Sequence, residues 1–199
     1  MYVIKTGLLF DPDKLANEYA EAEQKWGNLF YKGTALSLRM RKGDDNLHAL
    51  KYGAGPLVGS DGLYFERESS FNSYNPLLEC TYTQDVLREV ERYAALDGIK
   101  IGRAAYRVLK SATCLHWHRD YDNLIRYHIP VITNSACMFL HNKQLSQMDH
   151  RGALYTLDPH VPHTAINASR VSRVHIVLIG YTDETAAEDM SEAKDVFYD

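Results

Sequence analysis

The runs KIGRAAYRVL (Lys100–Leu109), LIRYHIPVI (Leu124–Ile132) and RVHIVLIGY (Arg173–Tyr181) decide the reading of the fold. Each has strand length, is rich in β-branched or aromatic residues and ends at turn-forming residues, so each predicts a β-strand. Shorter runs of the same kind lie between them at Ala136–Leu140, Ala153–Leu157 and Thr164–Ile166. Several short strands with no helical period between them predict an antiparallel sandwich or barrel. Tyr2–Phe10 and Thr34–Arg41 read as further strands that extend one of its sheets.

Outside this region the period changes. Asp11–Trp26 (DPDKLANEYAEAEQKW) predicts a helix with Asp11 or Asp13 as N-cap, Leu15, Tyr19 and Ala22 on one face, and Gly27 as the stop. Thr83–Ala95 (TQDVLREVERYAA) predicts a second, capped by Thr83, with Val86, Leu87, Val90 and Tyr93 on one side. Both helices are expected to pack outside the sheet. Gly43–Ser73 shows no period and reads as long loops over the barrel mouth.

At 199 residues, with 45% apolar and 24% charged residues, the chain fits one globular domain. We divide it into N-terminal strands, helices and mouth loops (1–99), a β-core (100–181) and an acidic tail (182–199). The longest apolar stretch, around Ile176–Ile179, falls far short of the roughly 20 residues of a membrane helix. Met1–Gly7 lacks the pattern of a secretory signal, so no membrane association and a cytoplasmic location are expected. Cys80, Cys114 and Cys137 form no Cys-x-x-Cys pair and read as reduced, mostly buried thiols. Asp183–Asp199 carries seven acidic residues and one lysine, which leaves the preceding body with 21 basic and 19 acidic residues. So small an excess gives no basic stripe, and nucleic acid is not an expected partner. No coiled-coil pattern or interface stripe sets an oligomeric state.

The chemistry is concentrated in the C-terminal half, where eight of the nine histidines follow Leu115. Leu115-His116-Trp117-His118-Arg119-Asp120 contains a His-x-Asp pair, and Val161-Pro162-His163-Thr164 supplies a further histidine. Two histidines and one carboxylate on one face of a small barrel make a facial triad that suits Fe(II) and leaves positions open for O₂ and a bidentate co-substrate. Ten residues past His163 stands Arg173, whose guanidinium suits the far carboxylate of 2-oxoglutarate. Strand alternation puts Arg126 and His128 on one face, opposite Ile125, Tyr127, Ile129 and Val131. It likewise puts Arg173 and His175 with Val177, opposite Val174, Ile176 and Leu178. An interior holding Arg126, His128, Arg173 and His175 is costly unless it binds an anion or pairs with carboxylates.

Trp117-His118-Arg119-Asp120, Arg126-Tyr127-His128-Ile129-Pro130, Asp158, Pro162-His163-Thr164-Ala165-Ile166-Asn167 and Arg173-Val174-His175-Ile176 follow one another in an order that resembles the aspartyl/asparaginyl β-hydroxylase family of Fe(II)/2-oxoglutarate dioxygenases. The resemblance covers roughly Ile101–Tyr181 and is closest to the short soluble members of bacteria and their viruses. It implies a mainly β fold, a double-stranded β-helix (jelly-roll, cupin-like) core with packed N-terminal helices. It also implies His118, Asp120 and His163 as iron ligands, Arg173 as partner of the distal 2-oxoglutarate carboxylate, and Arg126 and His128 as a pair that helps hold the co-substrate or the adjacent polar pocket. The implied reaction hydroxylates an amino-acid side chain, free or in a protein or peptide, and converts 2-oxoglutarate and O₂ to succinate and CO₂. A cupin-like enzyme using another metal and a non-catalytic binding module are the alternative readings.

Other polar residues have blander expectations. His116 is the rival of His118, because His116-x-His118 also has alternate-residue spacing for zinc. His160 reads as an exposed loop residue, and His141 and His150 as solvent-facing flanks of a polar loop. Asp158 is expected to orient either the loop or a ligand histidine. Arg103, Arg107 and Arg119 read as surface charges, with one or two available at the mouth to meet a substrate carboxylate.

Overall fold

The computed structural model describes residues 3–30, 34–41, 68–75, 78–119 and 125–182. Most of the expected mouth loops, the acidic tail and Asp120 lie outside the described residues. The β-core consists of β5 (Lys100–Leu109), β6 (Thr113–Cys114), β7 (Ile125–Ile132), β8 (Cys137–His141), β9 (Gln144–Ser146), β10 (Ala153–Leu157), β11 (His163–Asn167) and β12 (Arg173–Tyr181). Before it come β1 (Val3–Leu9), β2 (Ala35–Ser37), β3 (Arg39–Met40), β4 (Ser73–Tyr74) and helices α1 (Pro12–Trp26) and α2 (Thr81–Ala95).

The strands form two main antiparallel sheets, ordered β1-β10-β7-β12-β5-β2 and β6-β11-β8-β9, with β3 and β4 as a separate pair. Successive core strands alternate between the sheets: odd members β5 and β7 join the large sheet, β6 and β8 the small one, and the chain then returns through β10, β11 and β12 between them. That winding is the double-stranded β-helix. It positions the site because the β6–β7 connection, the start of β11 and the start of β12 all carry the polar motifs of the sequence.

The two faces of the large sheet have different partners. Tyr127, Ile129 and Val131 of β7 and Val174, Ile176 and Leu178 of β12 point outward with Tyr106 and Leu154, and they pack under Leu15, Tyr19, Val86, Leu87 and Val90 of the helices. The opposite face meets the small sheet, where Tyr155, Leu157, Phe139, Met148 and Ala165 form a second, smaller core. The strand alternation is therefore borne out on both β7 and β12.

Helix α1 starts as expected, since Asp11 Oδ1 accepts from the Asp13 and Lys14 amides at 3.0 and 3.1 Å. Helix α2 does not. It begins two residues earlier, and Thr83 is buried inside its first turn, 2.9 Å from the Tyr106 hydroxyl. Its N-terminus is capped from outside by the Glu18 carboxylate of α1, which accepts from the amides of Tyr82 (2.8 Å) and Thr83 (2.7 Å). Val86, Leu87 and Val90 are buried as expected, Tyr93 packs against the same core partly buried, and Ala94 joins the buried face. The turn before β10 depends on Gly152, at φ +76°, because a side chain there would strike the Phe10 carbonyl oxygen.

Candidate active site

His118 follows β6 and pairs with His163 at the start of β11 through two backbone bonds, His118 N to His163 O (3.1 Å) and His163 N to His118 O (2.7 Å). Directly opposed residues on adjacent strands carry their side chains side by side. The two imidazoles are accordingly neighbours, with ring centroids 4.4 Å apart.

Each ring is held by its own backbone. His118 Nδ1 lies 2.7 Å from the His116 carbonyl oxygen and His163 Nδ1 lies 2.9 Å from that of Val161. A carbonyl only accepts, so both Nδ1 atoms carry the proton and both Nε2 atoms carry the lone pair a metal needs. His116 contributes that carbonyl while its side chain is exposed, and Trp117 is exposed beside it. Among the described residues no three His, Cys, Asp or Glu side chains converge. The third donor of the sequence pattern, Asp120, lies outside the described residues.

Across the inter-sheet space, the inner face of the large sheet is cationic. Arg126 and His128 come from β7, Arg173 and His175 from β12, and all four are buried. Arg173 lies 5.0 Å from the Phe139 ring centroid, and its Nε and Nη1 atoms are buried without a hydrogen-bond partner. Burial pushes its pKa down to about 10. Phe139 also meets the His128 ring edge-on at 5.5 Å, so one aromatic wedge from the small sheet fixes both groups. Burial, reinforced by Arg173, Arg126, His163 and Arg107, holds His128 well below the ordinary imidazole range. Burial, Arg173 and His128 do the same to His175.

A buried guanidinium with two unpartnered nitrogens is chemically suited to a bound anion, which would return part of what desolvation removes. A group with one metal-chelating end and one free carboxylate fits this donor set: lone-pair nitrogens at His118 and His163, N–H donors at Arg173.

Several expectations need correction. His141 is 2% exposed; it lies in register with His163 on β8, with Nε2 2.6 Å from the Ser146 hydroxyl. The expected polar loop beyond it contains β9, whose return pairing turns His141 inward. Arg103 is no surface charge: it is buried against Glu68, which accepts from its backbone N at 2.9 Å and its Nε at 2.7 Å. Of the two roles expected for Asp158, the contacts are those of the loop: it accepts from the His160 amide and lies 2.9 Å from that ring's Nδ1. Phe139 escaped sequence reasoning, although Cys137-x-Phe139-x-His141 alternates as an inward-facing strand should.

The chain belongs to the aspartyl/asparaginyl β-hydroxylase family, whose sequence profile matches residues 63–180, and the protein is thus a hydroxylase. Its fold is similar to that of AviO1 from Streptomyces viridochromogenes Tue57, at 15% identity over 94% of this chain and 92% of that one, with a TM-score of 0.56. A Pseudomonas putida prolyl-4-hydroxylase aligns over 90% of this chain and 92% of its own (10% identity, TM-score 0.51). The collagen prolyl hydroxylase of Paramecium Bursaria Chlorella virus-1, solved as its 2OG complex, aligns over 92% and 96% (9% identity, TM-score 0.52). At these identities the likeness is one of fold. No curated protein sequence matches the chain. Among the described residues no helix is long and apolar enough to cross a membrane.

Proposed function

We propose that this hydroxylase is of the Fe(II)/2-oxoglutarate type, with His118, Asp120 and His163 as iron ligands and Arg173 as the residue that binds the distal carboxylate of 2-oxoglutarate. The observation that carries this reading is the buried Arg173 guanidinium, whose Nε and Nη1 have no hydrogen-bond partner, on the inner face of the large sheet, with the His118–His163 pair at the facing small sheet. With iron and 2-oxoglutarate bound, O₂ supplies the oxidising power for C–H hydroxylation and the co-substrate leaves as succinate and CO₂.

The protein's own part is binding and orientation. The backbone carbonyls of His116 and Val161 hold the two imidazoles in the ligating tautomer. Arg126 adds donors and positive charge beside Arg173, the neutral His128 adds a ring nitrogen, and Phe139 packs an apolar ring against both Arg173 and His128. The substrate we assign is an amino-acid side chain, free or within a protein or peptide. Three free thiols suit a reducing, cytoplasmic setting.

Anaerobic titration of the metal-free protein with Fe(II) and then 2-oxoglutarate tests the reading. A visible charge-transfer band on adding 2-oxoglutarate, lost in Asp120→Ala, is the expected result. Well-folded protein that gives no band, and that retains zinc or manganese on purification, would move the assignment to a cupin-like enzyme of another metal.

A further inference from the structure

His175 stands two residues past Arg173 on the inner face of β12 and is 1% exposed. Its Nδ1 lies 3.4 Å from Nδ1 of His128, with the ring planes at 81°. Its Nε2 is buried without a partner. Both rings are neutral, since burial and the surrounding cations disfavour a further positive charge. A neutral imidazole has one ring proton, so a bond between two Nδ1 atoms requires one ring to donate and the other to accept.

The two arrangements differ in what they bury. If His128 donates, the only proton of His175 sits on Nε2 as a sealed N–H with no acceptor, in a field set by Arg173. Orphaned buried N–H groups are the rarer and costlier kind. If His175 donates, its Nε2 is instead a bare lone pair, which the positive field favours. His128 then carries its own proton on Nε2.

We infer that His175 is a positioning residue: its Nδ1–H donates to His128 Nδ1 and fixes His128 as the Nε2–H tautomer, a hydrogen-bond donor for an anionic ligand held by Arg173. The ligand's identity as 2-oxoglutarate rests on the proposed function; the tautomer does not. In the opposite tautomer His128 would present a lone pair to a carboxylate and repel it.

Long-range ¹H–¹⁵N correlation spectra of the full chain, labelled at histidine and free of ligand, read the tautomers directly. The expected result is Nε2–H at His128 and Nδ1–H at His175. His175→Phe should leave His128 as a tautomer mixture, while His175→Asn, whose amide N–H occupies the Nδ1 position, should restore a single Nε2–H form. Calorimetry with 2-oxoglutarate on the Zn(II)-loaded protein should show about tenfold weaker binding for His175→Phe, the worth of one charge-assisted hydrogen bond, and recovery in His175→Asn. Nδ1–H at His128 in the wild type overturns the inference, as does a His175→Phe protein whose His128 stays wholly Nε2–H. If His175→Phe does not fold, the wild-type and His175→Asn spectra still decide. Expected tautomers in a wild-type protein that does not bind 2-oxoglutarate would instead overturn the co-substrate assignment and leave the role of His175 standing.

Discussion

Arg173 is buried where folding gains little from a guanidinium: two of its nitrogens have no partner, and an aromatic ring covers one side. Such a residue costs stability, and the role proposed for it is to bind an anion. Arg173→Met, similar in volume and uncharged, should therefore raise the urea midpoint, by about 1–3 kcal/mol in unfolding free energy. The same variant should weaken 2-oxoglutarate binding by about a hundredfold, and Arg173→Lys should recover only part of it because the ammonium lacks the bidentate fork. A variant that lost stability and kept affinity would contradict both halves.

The buried histidines make a second residue-scale prediction. His128 and His175 have folded-state pKa values below the ordinary 6.5, so below that pH the unfolded chain takes up protons that the native state refuses. Their contribution to stability is complete above about pH 6.5 and falls away as the pH drops, by at most about 1.4 kcal/mol per pH unit for each ring. Urea unfolding at a series of pH values should show this decline, and His175→Phe should make it shallower.

At the scale of elements, much was legible where local pattern and tertiary role agree. The bounds of β5, β10 and β12 match the sequence runs, and Leu15, Tyr19 and Ala22 of α1 are buried at their helical spacing. The failures are non-local. β6 and β9 have two and three residues and exist because β11 and β8 pair with them, so no period announces them. The cap of α2 is a carboxylate on another helix, which no inspection of Thr83 and its neighbours reveals. Glu18→Ala should thus destabilise the protein by about 1–2 kcal/mol, the usual worth of an N-cap, although Glu18 lies outside α2. Glu18→Gln keeps an acceptor but loses the charge that favours a helix N-terminus, and should cost less. Amide exchange in the first turn of α2 should accelerate in Glu18→Ala ahead of the rest of the helix.

At the scale of the molecule, the large sheet is stabilised from its outer side, where the helices bury the main hydrophobic core, and this frees the inner side to hold Arg126, His128, Arg173 and His175. The site pattern was readable because these residues alternate with core residues on two long strands. The placement of Arg103 was not, because its partner, Glu68, lies in a segment without any period. That partner is part of how the whole is tied together. The Glu68 carboxylate takes three donors from Arg103, and the 3-10 turn Glu68–Ser70 rests directly on β5 at Gly102. A methyl group at Gly102 would lie 2.7 Å from Glu68 Cβ and 2.9 Å from its carbonyl oxygen, and backbone cannot move aside as a side-chain tip can. Gly102→Ala should therefore lift the turn from the sheet and take the Glu68 carboxylate from the buried Arg103 guanidinium, for a loss of about 3–5 kcal/mol. Adding Arg103→Met to Gly102→Ala removes the buried charge that has lost this carboxylate and should recover part of that loss in urea unfolding. If the double variant were no more stable than Gly102→Ala, the cost would lie in packing at β5 and not in the broken ion pair.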